Sequence, residues 1–117
     1  MATVNAVLTD IRTQVPEAEM VRAERGMDRY WAHRSESYSE MNKLQFGSDR
    51  RDAWEHAIFD GIDERRRLRI LDIGTGPGFF AIISALRGHD VVAVDMNAEM
   101  LKKAQEYALT AGANVIF

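Results

Sequence analysis

The apolar positions of the chain fall into two regimes. Val4, Val7, Leu8 and Ile11 recur at the spacing of one helical face, with Thr3 placed to cap the start, and predict a short amphipathic helix from Thr3 to about Val15. A second helix is predicted after Pro16: Glu17 and Glu19 suit its positive end, Met20, Met27, Tyr30 and Trp31 give it an apolar stripe, and Ser35 to Ser39 mark its expected end. A third is signalled by Ser48 as cap, Asp49 and Asp52 in the first turn, Trp54, Ala57 and Ile58 on one side, and Gly61 as its stop.

From Leu68 the pattern changes to alternating strand and helix. Leu68 to Ile73 reads as a buried strand, Phe79 to Leu86 as a helix apolar enough to lie on a sheet and stopped by Gly88, and Val91 to Val94 as a second strand. Asn97 caps a further helix whose Met100, Leu101, Ala104, Ala108 and Ala111 are expected to face inward; Gly112 ends it, and Asn114 to Phe117 starts a third strand. This order predicts an α/β fold: N-terminal helices over residues 1–64, then an incomplete parallel sheet, βαβαβ, over residues 65–117. The apolar Val115, Ile116 and Phe117 have no turn or polar tail behind them, and an open sheet of that size leaves a strand edge unpaired. The chain therefore reads as truncated, its second half missing or supplied by a partner. A homodimer through exposed sheet edges is one such arrangement.

Composition narrows the classes. A chain of 117 residues, 46% hydrophobic and 28% charged, has the makings of one packed domain rather than a disordered segment. A formal charge of -3 gives no electrostatic basis for a nucleic-acid partner. Arg65, Arg66, Arg67 and Arg69, the one basic run, read as a solvated approach to the sheet. The absence of cysteine removes disulfides, thiolate metal sites and cysteine nucleophiles, and fits a reducing cytoplasm. No secretory signal and no apolar run of membrane-spanning length is found, so a soluble cytoplasmic protein is expected. His33, His56 and His89 are scattered, without the spacing of metal ligands.

The chemistry concentrates in Asp72-Ile73-Gly74-Thr75-Gly76-Pro77-Gly78-Phe79, between the first strand and the helix that follows it. Glycines let such a turn bend sharply and approach a ligand, and a helix start offers unpaired amides to an anionic group. Asp95 ends the second strand, where a carboxylate can accept hydrogen bonds from both hydroxyls of a ribose. The dinucleotide fingerprint wants glycine at its first, third and sixth positions, but the sixth here is Phe79; the glycines fall instead at 74, 76 and 78, with an acid two residues upstream.

That turn resembles motif I of the class I S-adenosylmethionine-dependent methyltransferases, and Val91-Val92-Ala93-Val94-Asp95-Met96-Asn97-Ala98-Glu99-Met100 resembles the family's second strand and next helix start. The resemblance covers roughly the last fifty residues and implies a Rossmann-like methyltransferase fold with S-adenosylmethionine as cofactor. It implies that Gly74, Thr75, Gly76 and Gly78 form the turn against the cofactor's methionine moiety, with Asp72 near its ammonium group. It likewise implies Asp95 on the ribose diol and Met96 on the adenine. Tyr30-Trp31 with Tyr38 resemble the N-terminal aromatics that close over the cofactor in many small-molecule methyltransferases, so Tyr30 and Tyr38 join the cofactor-binding set. The implied reaction is methyl transfer to a small-molecule acceptor whose half of the enzyme is missing from this chain; no catalytic base can be named.

Plainer assignments stand beside these. Asp72 can bond its own turn, Met96 and Met100 can be core fillers, and Tyr30, Trp31 and Tyr38 can be helix-packing aromatics. Two other functions remain open: an inactive methyltransferase-fold binding or assembly module, and an NAD or flavin oxidoreductase, which would keep Asp95 but is disfavoured by Phe79.

Overall fold

In the computed structural model, which describes residues 14–47 and 49–117, the first element is helix α1 (Glu17–Phe46). The helix predicted from Thr3 and the cap Ser48 lie outside the described residues. Pro16 starts α1 by accepting from the amides of Glu19 and Met20 at 2.9 and 3.1 Å. α1 does not stop at the serines as expected. Ser35 donates to Ala32 O at 2.9 Å and Ser37 to Arg34 O at 3.1 Å. Hydroxyls that bond back to a carbonyl of the preceding turn satisfy themselves without ending a helix. The expected apolar stripe is also corrected, because Met27 and Tyr30 are half exposed and the buried positions of α1 are Ser39 and Asn42.

The chain divides into compact units after Tyr30, inside α1. The boundary read from sequence at residues 64 and 65 marks the change from helices to strand-helix alternation. Within the second unit, Trp31–Phe117, α2 (Asp49–Phe59) buries Phe59, while Trp54 and Ala57 stay exposed. Gly61, at φ 77°, ends that segment as predicted.

Three parallel strands follow in the order β1 (Arg69–Ile73), β2 (Asp90–Val94), β3 (Val115–Ile116). Ile70 pairs with Val91, Ile73 with Val94, and Val91 in turn with Val115. The crossovers are α3 (Phe79–Leu86) and α4 (Ala98–Ala111). α3 covers one sheet face: Ala81 packs on Val91 and Ala93, with Ile70, Ala85, Val115 and Phe117 around them. α4 buries Met100, Ala104 and Ala108, whereas Ala111, expected inward, is exposed beside the Gly112 cap.

β1 is not the fully buried strand expected. Its side chains alternate, and Leu71, Ile73, Val92, Val94 and Ile116 form an exposed apolar row on the sheet face opposite α3. A strand covered on one face only buries every second side chain.

Ionic contacts join α2 to the start of the sheet. Arg87, just after α3, donates to Glu64 and, at 2.8 Å, to Glu55, which also accepts from Arg51 at 2.7 Å. Burial raises the Glu55 pKa, but the hydrogen bonds from Arg51 and Arg87 outweigh it and leave the carboxyl below its ordinary value. The hydrogen bond from Arg87 takes Glu64 down to about 2, against an opposing effect of burial. His89 is buried, with Nδ1 accepting from Leu68 N–H at 3.3 Å and Nε2 facing Glu64 at 3.1 Å. Those contacts suit the neutral tautomer protonated at Nε2. The arginine run is solvated as expected: Arg65 pairs with Asp63 and Arg67 with Asp90 at the surface. No helix among the described residues is long and apolar enough to cross a membrane.

Candidate functional site

The turn after β1 is fastened to the end of β2 by its backbone. Gly74 and Thr75 amides both donate to Val94 O, at 2.8 and 3.0 Å, and Gly78 N–H closes onto Thr75 O at 3.0 Å. Gly74, Gly76 and Gly78 have φ of 74, 55 and 86°, in the left-handed region where a side chain is strained. Their surroundings differ. A Cβ on Gly78 would meet Ala104 Cβ at 3.0 Å, so this glycine lets α3 and α4 approach; a Cβ on Gly74 would enter open space.

Asp95, one residue past β2, faces the turn. Its Oδ2 accepts from Gly76 N–H and its Oδ1 from Asn97 N–H, both at 2.8 Å. Each carboxylate oxygen can accept a further hydrogen bond, so these contacts orient the group without exhausting it. Asn97 caps α4 by accepting from Met100 N–H at 3.0 Å.

These groups border a cavity of about 360 Å³ at the carboxyl ends of the strands. Its walls are Gly74, Gly76 and Asp95 with Ile73, Val94, Met96 and Met100, and Trp31 and Tyr38 of α1 complete them. The Trp31 and Tyr38 rings meet edge to face at 5.8 Å, and Tyr38 Cε1 lies 3.5 Å from where a Gly76 Cβ would stand. The volume falls in the small-molecule range, with apolar and aromatic walls and one convergent carboxylate. A larger cavity, about 730 Å³, lies at the opposite strand ends beside Arg67, His89 and Asp90. Ligands of open parallel sheets bind at the carboxyl ends, which favours the smaller one.

The predicted residues do not all converge. Gly74, Gly76, Asp95, Met96 and Tyr38 line the cavity, while Thr75 and Gly78 are buried within the turn. Asp72 accepts from Thr75 Oγ1 at 2.7 Å and lines a neighbouring cleft of about 420 Å³ with Trp54, Ile58 and Phe80. Tyr30 falls in the other compact unit. Sequence reasoning ranked Met96 above Met100, yet both line the wall, Met96 half exposed and Met100 buried. It missed Ile73 and Val94, whose place at the strand ends was the available signal.

A three-stranded parallel sheet with crossover helices, a glycine turn after its first strand and an acid just past its second has the parts of a Rossmann-like α/β fold. Residues 70–117 match the methyltransferase-domain family. The ubiquinone biosynthesis O-methyltransferase of Paracidovorax citrulli is 33% identical over 100 residues, 84% of this chain and 38% of that protein. Its namesake in Pseudomonas putida is 32% identical over 108 residues, 88% of this chain and 41% of that protein. The tRNA 5-carboxymethoxyuridine methyltransferase of Escherichia coli is 43% identical over 47 residues, 40% of this chain and 18% of that protein. A crystal structure of a Pyrococcus horikoshii protein matches with a TM-score of 0.50 and 27% identity, over 62% of this chain and 33% of the other. Residues 70–117 are thus similar to a methyltransferase domain, and most of the chain is similar to part of two O-methyltransferases. It spans about two-fifths of the length of the ubiquinone-biosynthesis relatives.

Proposed function

We propose that these residues form the cofactor-holding portion of an S-adenosylmethionine-dependent methyltransferase. The observation that carries this reading is the Asp95 carboxylate, fixed by Gly76 and Asn97 amides on the wall of the cavity. S-adenosylmethionine supplies an electrophilic methyl group on a sulfonium. The chain's part is to bind and orient: Asp95 accepts from the ribose hydroxyls, Gly74 and Gly76 leave room for the methionine moiety, and Met96 and Tyr38 cover the adenosine. Asp72, Thr75 and Gly78 set the shape of the turn, with the Asp72 carboxylate held by Thr75 on the side of the 420 Å³ cleft. Tyr30 rests on the resemblance alone.

We further propose residues 65–117 as the cofactor half, with residues 1–64 as a separate N-terminal region. A small-molecule acceptor is favoured by the formal charge of -3 and by the ubiquinone-biosynthesis relatives, and a cytoplasmic location by the lack of cysteine. Acceptor choice is assigned to the part of those relatives that has no counterpart in these 117 residues. The oxidoreductase alternative is weakened by Phe79, which is buried with its ring 4.9 Å from that of Phe46. A thermal-shift titration tests the reading: S-adenosylhomocysteine raises the melting temperature with concentration and NAD does not. The reverse preference would contradict it.

The exposed row of Leu71, Ile73, Val92, Val94 and Ile116 favours a second reading, an assembly module whose sheet is covered by another chain or a second copy. Sedimentation of the chain as a monomer across micromolar concentrations would argue against the homodimer form.

A further inference from the structure

Asn97 does not line the cavity, yet its contacts reach three residues that do. Its backbone N–H donates to Asp95 Oδ1 at 2.8 Å, and its side-chain Oδ1 accepts from Met100 N–H at 3.0 Å. Met96 is its chain neighbour, and Asp95, Met96 and Met100 all border the cavity. The residue is 2% exposed and takes extended backbone angles, φ -99° and ψ 116°, as an N-cap does.

We infer that Asn97 is a positioning residue of the cofactor site: its buried cap holds the peptide whose N–H aims the Asp95 carboxylate. This rests on the proposed cofactor reading. An N-cap oxygen fixes the entry of the chain into the helix, and here that entry is the Met96-Asn97 peptide. Without the cap, α4 frays at Met100 and the Asn97 N–H loses its fixed direction. Asp95 then keeps the Gly76 N–H on Oδ2 but has no second anchor, so the carboxylate can rotate. Charge-assisted hydrogen bonds depend on direction, and a rotating carboxylate discriminates poorly between a ribose diol and a single hydroxyl.

The test compares S-adenosylhomocysteine with its 2′-deoxyribose counterpart, titrated into the full chain below each variant's melting temperature. The wild type is expected to prefer the ribose ligand by about tenfold or more, the scale of one charge-assisted hydrogen bond. Asn97→Ala reduces that preference to about twofold or less, and Asn97→Ser, which restores a capping oxygen, recovers most of it. Asn97→Gly gives a second reading if the alanine variant does not fold, because glycine is tolerated at an N-cap while lacking the oxygen. A merely structural role would weaken both ligands equally and leave the ratio at the wild-type value, which would overturn the inference. A wild type that binds neither ligand, or binds both alike, contradicts the ribose role of Asp95 itself and removes the inference with it.

Discussion

Gly76 N–H donates to Asp95 Oδ2 at 2.8 Å, tying the turn after β1 to the residue that ends β2. One carboxylate thus shapes the glycine turn and faces the cavity that the turn borders. Removing it in Asp95→Ala deletes both functions. Loss of its hydrogen bonds to a ribose is expected to weaken S-adenosylhomocysteine by about 10- to 100-fold, from about 1.5–3 kcal/mol for bonds to a charged group. Isothermal titration measures the loss; an unchanged affinity would remove Asp95 from the site.

Gly74 and Gly78 separate binding from packing. Gly78→Ala adds the 3.0 Å approach to Ala104 Cβ to the strain of φ 86° and is expected to destabilise the fold by about 2–5 kcal/mol. Gly74→Ala meets no neighbouring atom and is expected to cost about 1–2 kcal/mol in backbone strain, while weakening cofactor binding more than its stability loss implies. Denaturant melts and ligand titrations on the two variants give the comparison. Equal stability losses would show that the Ala104 contact relaxes freely.

Much of this arrangement was legible because Gly74, Gly76 and Gly78 leave a spacing that few other contexts require, and Asp95 falls at a strand end. The course of α1 was not legible. Ser35 and Ser37 look like a helix stop in sequence, and only their bonds to Ala32 O and Arg34 O make them compatible with its interior. Leu71 and Ile73 read as core from their hydrophobicity, but which sheet face is covered depends on distant elements. Asp72 was placed correctly at the turn, whereas the direction of its side chain depends on the Thr75 hydroxyl. The partners of Arg87 lie 23 and 32 residues away, beyond any local pattern.

The ionic contacts of Arg87 predict an acid response. The folded-state pKa of Glu64 is depressed to about 2 from an ordinary 4.5, so its stabilising contribution is full above the unfolded value and lost as pH falls from about 4.5 towards 2. Glu64→Gln is therefore expected to lower the melting temperature at neutral pH and to converge with the wild type near pH 2. Parallel pH-dependent melts would contradict the assignment if the gap between the proteins stayed constant.

Tyr38 stands over Gly76 with Trp31 against its edge, which predicts a ring contribution to binding rather than a hydroxyl one. Tyr38→Phe should bind S-adenosylhomocysteine within about twofold of the wild type, and Tyr38→Ala about threefold to tenfold more weakly. With Trp54 replaced by Phe, the remaining Trp31 should change its fluorescence on titration, because Trp31 is one of only two tryptophans and borders the cavity. A silent Trp31 alongside measurable binding would place the ligand elsewhere.

The central claim is tested most directly by calorimetric titration of the 117-residue chain with S-adenosylhomocysteine, with NAD as control and Asp95→Ala alongside. The account predicts saturable 1:1 binding of S-adenosylhomocysteine, binding about 10- to 100-fold weaker in the variant, and no heat from NAD. Binding that survives intact in Asp95→Ala, or a preference for NAD, would contradict it.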